Sequence, residues 1–107
     1  MNTNTAQRQP GTNTRGGAFS TEAVLAVWNK AKAVQGYDPN IYRKDACGAW
    51  IARTSYGTTG EYGWEIDHMQ PVAKGGTDDF SNLQPLHWAN NRHKADNWPQ
   101  WSCRLPA

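Results

Sequence analysis

The chain has 107 residues, 37% of them hydrophobic and 19% charged. That is one small domain with no apolar run near the roughly 18 residues of a membrane helix, and Met1-Asn2-Thr3-Asn4-Thr5 lacks the apolar core of a secretory signal, so the expected location is the cytoplasm. The net charge of +2 falls short of a histone-like or arm-type DNA binder, and it resides wholly on Arg8 and Arg15, because beyond residue 20 nine Lys/Arg balance nine Asp/Glu.

Residues 1–20 hold only Met1 and Phe19 as large apolar side chains. They read as a disordered tail, with the folded domain over 21–107. Ser20 or Thr21 suits a helix N-cap. Val24, Val27, Trp28, Ala31 and Val34 then recur at three- and four-residue spacing, which predicts a helix from Thr21 to about Gln35, closed by Gly36 and Pro39. Tyr37 to Asp45 reads as a turn-rich connector, Ala49 to Arg53 as a short strand and Gly57 to Gly60 as a loop. Gly63 to Asp67 alternates with period two and reads as a second strand. Pro71 to Asn82, with Gly75-Gly76 and Asp78-Asp79, is a loop. Leu83 to Leu86 reads as a brief strand, and His87 to Ala95 as a helix stopped by Trp98-Pro99, with Trp101 folding back onto the domain.

A domain of this size buries only about 60–65% of its unfolded surface, so the six tryptophans read as core filler. Two cysteines, Cys47 and Cys103, are too few for a disulfide scaffold. Two buried free thiols are expected, with a disulfide between them as the alternative.

Chemistry concentrates between Gly63 and Lys94. Asp67 and His68 end a strand, where the pleat relaxes and both side chains can flank one site. Asn91 offers an amide oxygen from the following helix. A carboxylate and an amide oxygen suit a hard cation that keeps several waters and takes its remaining ligands from a substrate phosphate, as magnesium does. His68 would stand beside such a metal, and an unperturbed imidazole, with a pKa of about 6.5, is suited to deprotonate water near neutral pH. Asp78 and Asp79 read as solvated turn or cap residues. His87 reads as a packing residue at the helix start, and His93 as a surface or phosphate-contacting one. Lys74, Arg92 and Lys94 are candidate contacts to a nucleic-acid backbone. Arg43 and Arg53 are equally plausible and unranked. From 60 to 80, five acids face Lys74 alone, a balance that a divalent cation would partly offset.

These residues resemble the HNH endonucleases of the compact bacterial and phage type. The resemblance covers about residues 37–103. It rests on Asp67-His68, on Asn82 fourteen residues after His68 and Asn91 nine further, and on Pro71-Val72-Ala73-Lys74-Gly75-Gly76 and Asn82-Leu83-Gln84-Pro85-Leu86 between them. It implies an α+β fold with a ββα-metal core, an N-terminal helix and a short β-hairpin. It further implies Asp67 and Asn91 as ligands of one divalent metal, magnesium first and manganese as an alternative, with His68 as the general base. Asn82 would brace the loop through side-chain to backbone hydrogen bonds and hold His68 in orientation. Products would carry 5′-phosphate and 3′-hydroxyl ends. The implied setting is a bacterial or phage-infected cell.

The sequence departs from the family where many members carry two Cys-x-x-Cys pairs for a structural zinc. Here those places fall at Lys44 and Cys47 and at His87 and Asn90, short of four N or S donors, and structural zinc is not expected. The resemblance implies DNA as the partner; no membrane is expected, and sequence specificity is left to a protein partner. Competing readings are a non-catalytic nucleic-acid-binding module of the same fold and a nuclease toxin payload. Metal preference, sequence preference, oligomeric state and pathway stay open.

Overall fold

Two short helices and two antiparallel ribbons build the molecule, in a computed structural model that describes residues 8–107. Helix α1 spans Thr21–Trp28, and Ser20 caps it by accepting from the Ala23 amide at 3.1 Å. It ends seven residues before the predicted Gln35. The chain leaves through tight turns, and Lys32 then exchanges both backbone hydrogen bonds with Lys44, at 2.8 and 2.9 Å. Strand-type bonds replace the helical ones, and Ala31 still reaches the core. Apolar spacing alone did not distinguish these two ways of burying Ala31.

Strand β1 (Tyr42–Lys44) pairs with β2 (Trp50–Ala52), Arg43 opposite Ile51. β1 lies in the stretch read as a connector. The turn joining the strands is built on buried Asp45. Its Oδ1 accepts from the amides of Cys47 and Ala49, at 2.9 and 2.8 Å. Its Oδ2 accepts from the His87 amide at 2.9 Å and from Asn90 Nδ2 at 3.0 Å. One carboxylate thus ties the first ribbon to the second.

Strand β3 (Trp64–His68) pairs with β4 (Leu83–His87), placing Asp67 opposite Gln84 and His68 opposite Leu83. Helix α2 (Trp88–Lys94) follows directly, capped by His87, whose Nδ1 accepts from the Ala89 amide at 3.0 Å. All five β3 residues are buried. Trp64 and Ile66 join the core with Val27, Trp28, Ala31, Ile51 and Leu83, and the Trp28 and Trp64 rings meet at 5.5 Å. The period-two alternation therefore separates a core face from a face covered by polar partners, rather than core from solvent.

Only Trp28 and Trp64 of the six tryptophans are fully buried, and Trp98 is 40% exposed. The expectation that the tryptophans are core filler holds for those two. The expected free thiols are corrected. Cys47 and Cys103 form a disulfide with Cα atoms 5.8 Å apart. It fastens the C-terminal segment, which Asn90 also holds by accepting from the amides of Arg104 and Leu105 at 2.8 and 2.7 Å.

The reading of a disordered 1–20 divides in two. Residues 1–7 lie outside the described residues. Within 8–20, Phe19 packs on the core, and Thr14 donates to Asp78 from its amide, at 3.1 Å to Oδ1, and from its hydroxyl, at 2.8 Å to Oδ2. No helix among the described residues is long and apolar enough to cross a membrane.

Candidate functional site

The end of β3, the C-terminal half of α2 and the chain at 8–11 enclose a cavity of about 370 Å³. Asp67, His68, Asn91 and Arg92 line it together with Arg8 and Gly11. Four sequence-predicted site residues therefore share one cavity, while Lys74, Asn82 and Lys94 are not in its lining.

Asp67 is 5% exposed. Gln84 Nε2 donates to its Oδ2 at 2.9 Å, and Lys94 Nζ lies 3.3 Å from its Oδ1. Burial pushes the carboxyl above its ordinary range, and the Gln84 hydrogen bond and the Lys94 charge offset part of that rise.

Lys94 is corrected from an expected surface contact. It is 1% exposed, and its Nζ donates to the His68 carbonyl at 3.0 Å as well as facing Asp67. Its charge is spent inside the protein, so it does not present itself to a polyanion.

Asn91 Nδ2 donates to Glu65 Oε1 at 2.8 Å, and Arg92 Nη2 to Glu65 Oε2 at 2.8 Å. The ionised carboxylate only accepts. The amide must therefore turn its nitrogen to Glu65, which leaves Oδ1 as its remaining polar atom, with no hydrogen-bond partner among the described residues. Glu65 was counted in the sequence only among the five acids of 60–80 and given no role of its own, although it lies two residues before Asp67 on the same strand face. Arg92 remains 45% exposed in its side chain.

His68 Nε2 lies 2.8 Å from Asp78 Oδ1. Burial alone would raise the Asp78 carboxyl. Hydrogen bonds from His68 and from the Thr14 hydroxyl and amide outweigh that and hold it below its usual range. An ionised Asp78 accepts only, so Nε2 carries the hydrogen and Nδ1 holds the lone pair in the neutral ring. Nδ1 has no hydrogen-bond partner among the described residues. Asp78, expected to be a solvated turn or cap residue, is exposed but also bonded to His68 and Thr14. Asp78 and His68 are ten apart across a loop, and nothing in the local pattern signals their meeting.

Asn82 braces that loop. Its Oδ1 accepts from the Gln70 amide at 2.8 Å, and its Nδ2 donates to the carbonyls of Gln70 and Thr77 at 3.1 and 2.9 Å. It reaches His68 through the loop rather than by contact. The double glycine follows from the same closure. Gly75 has φ +91°, and a Cβ on Gly76 would fall 1.7 Å from the Gln70 carbonyl oxygen. Lys74, in this loop, is exposed.

Asp67, Asn91 Oδ1 and His68 are the donors available to a metal. Two oxygens and one imidazole form a hard set compatible with a cation that keeps most of its water. Among the described residues no group of three His, Cys, Asp or Glu side chains is placed to hold an ion, and Asp96 is the second carboxylate in the cavity lining beside Asp67. The remnants of a zinc site are committed elsewhere. Cys47 is in the disulfide, and His87 accepts through Nδ1 and donates through Nε2 to the Glu61 carbonyl at 2.8 Å.

Neither curated proteins nor solved structures yield a match to this chain. Residues 47–97 match the family model for the HNH endonuclease, a span that contains β2, β3, β4, α2 and the whole loop carrying Asp78 and Asn82. Residues 47–97 are therefore similar to the HNH endonuclease domain, which supports the family resemblance read from Asp67-His68, Asn82 and Asn91.

Proposed function

We propose that the protein is a metal-dependent DNA endonuclease whose ββα-metal core is β3, β4 and α2, within a nuclease domain over 21–107. HNH nucleases in general use divalent metals and act on DNA. The observation that carries the proposal is the single cavity shared by Asp67, His68 and Asn91. Asp67 and Asn91 Oδ1 would hold one divalent cation, magnesium best fitting two oxygen donors. When bound, the ion supplies polarisation of the phosphoryl group and stabilisation of the 3′ leaving oxygen.

The protein's own part centres on His68. Asp78 accepts Nε2–H and fixes the tautomer, so Nδ1 takes the proton from the attacking water. Asn82 holds the loop that brings Asp78 there. Glu65 fixes the amide of Asn91 and draws in Arg92. Lys74 and Arg92, both exposed, serve the phosphate backbone. Lys94 balances Asp67 from beneath.

Supercoiled plasmid incubated with the protein and magnesium or manganese tests this reading. Nicked or linear product that EDTA abolishes is expected. Cleavage unchanged by EDTA would remove the metal from the mechanism, and plasmid bound but intact would leave a non-catalytic binding module.

A further inference from the structure

The net positive charge lies on Arg8 and Arg15, and one of these two residues lines the site. Arg8 shares the cavity with Asp67, His68 and Asn91. The segment bearing it is anchored on β3 and on the loop that carries Asp78. Gly11 packs on β3, where a Cβ would stand 3.3 Å from Glu65 Cβ, and its φ is +77°. Thr14 holds Asp78, and the Phe19 ring centroid lies 5.9 Å from that of His68. The same carboxylate that steadies His68 thus steadies the arm.

Asp67, Asp96, Arg8 and Arg92 are the charged residues of the cavity lining, and the cations in and behind it are unequally committed. Arg92 is neutralised by Glu65 at 2.8 Å, and the buried Lys94 faces Asp67. Arg8 donates through Nη1 to the Thr12 carbonyl and hydroxyl at 2.7 and 3.2 Å. It pairs with no carboxylate among the described residues, and residues 1–7 contain no acid. Among the described residues its Nη2 and Nε have no acceptor, which leaves them for another one. A planar guanidinium held by one edge, beside a site for phosphodiester hydrolysis, is suited to grip a phosphate by the other.

We propose that Arg8 is a substrate-binding residue of the nuclease site, donating to the non-bridging oxygens of a DNA phosphodiester in the cavity. The inference rests on the nuclease reading. It makes the chain at 8–11 a wall of the substrate cleft.

Two measurements test it on the full chain. The first is steady-state plasmid cleavage by Arg8→Ala, Arg8→Lys and Arg15→Ala. Arg15 is exposed and carries the same charge outside the cavity, so it controls for the arm's overall charge. A charge-assisted hydrogen bond lost from substrate binding corresponds to a fall of about tenfold or more in kcat/KM for Arg8→Ala. Arg8→Lys should recover only part of it, because an ammonium lacks the fork, and Arg15→Ala should stay within about twofold. Equal losses in Arg8→Ala and Arg15→Ala would reduce the effect to general charge and overturn the proposal. Faster cleavage by Arg8→Ala would make the arm an obstruction and overturn it too.

The second measurement does not need turnover. Binding of a fluorescein-labelled duplex is followed by anisotropy against salt, in a His68→Ala background. Removing one phosphate contact should lower the slope of log K against log salt by about 1 for Arg8→Ala. An unchanged slope would overturn the proposal. If the wild type fails to cut DNA while this slope still falls, the enzyme reading is lost and the Arg8 phosphate contact stands. If the wild type cuts and Arg8→Ala matches it in both assays, Arg8 alone is refuted.

Discussion

Replacing Lys94 by Met keeps the length of the side chain and removes its charge. The Lys94 side chain has no exposure, and its nitrogen serves the His68 carbonyl at 3.0 Å and Asp67 Oδ1 at 3.3 Å. The substitution leaves the Asp67 carboxylate buried without its counter-charge, a change that costs roughly 3–5 kcal/mol. At about 4–8 °C per kcal/mol for a domain of this size, the melting temperature should fall by at least roughly 12 °C. Differential scanning calorimetry gives the number. The double variant Asp67→Asn/Lys94→Met removes both charges and should recover most of the loss, since the penalty is an unpaired charge rather than a lost packing contact. A divalent cation that binds Asp67 should also stabilise Lys94→Met more than the wild type, because it restores positive charge beside the carboxylate. A wild-type melting temperature combined with weaker DNA binding and a shallower salt slope would place Lys94 at the surface and refute this reasoning.

Other outcomes follow from the same contacts. Reducing the Cys47–Cys103 disulfide, or replacing both cysteines by serine, releases a loop with a sequence separation of 56 and should lower stability by about 4 kcal/mol on chain entropy, read from denaturant midpoints with and without dithiothreitol. Asp78 has a folded pKa below its unfolded value near 4. Its contribution is therefore full above about pH 4 and is lost as the pH falls through the lower folded value, so the stability gap between wild type and Asp78→Asn should close on acidification, and a gap that widens there would reverse the assigned sign. Gly76→Ala should destabilise by about 1–3 kcal/mol, since a Cβ 1.7 Å from the Gln70 oxygen forces the loop open; melting curves within experimental error of wild type would show that the loop yields freely.

The parts of the site that local chemistry determines were readable before the fold was known. Asp67 and His68 stand at the end of an alternating strand, and a Gly-Gly loop followed by Asn82 turns the chain back beside it, so both the strand end and the return are written in neighbouring residues. Lys94 was misplaced for a reason that the spacing already contained. It lies three positions after Asn91 and so shares its helix face, the face that α2 turns to the site. The first helix was overextended because Ala31 and Val34 satisfy a helical period while the backbone pairs as strand. β1 was missed because Tyr42-Arg43-Lys44 carries no alternation of its own and takes its extended form from pairing with β2 and Lys32. Contacts of Asp78 with His68 and Thr14, and the seating of the arm at 8–19, join residues 10 to 64 positions apart; they depend on tertiary closure, which no local pattern encodes.

The central claim is that one cavity, with His68 as its base, carries out metal-dependent cleavage. His68→Ala measured on supercoiled plasmid in magnesium, with isothermal titration of the metal alongside, tests it most directly. The account predicts that cleavage disappears while divalent-metal binding persists, because Asp67 and Asn91 remain. Cleavage at the wild-type rate by His68→Ala would contradict it.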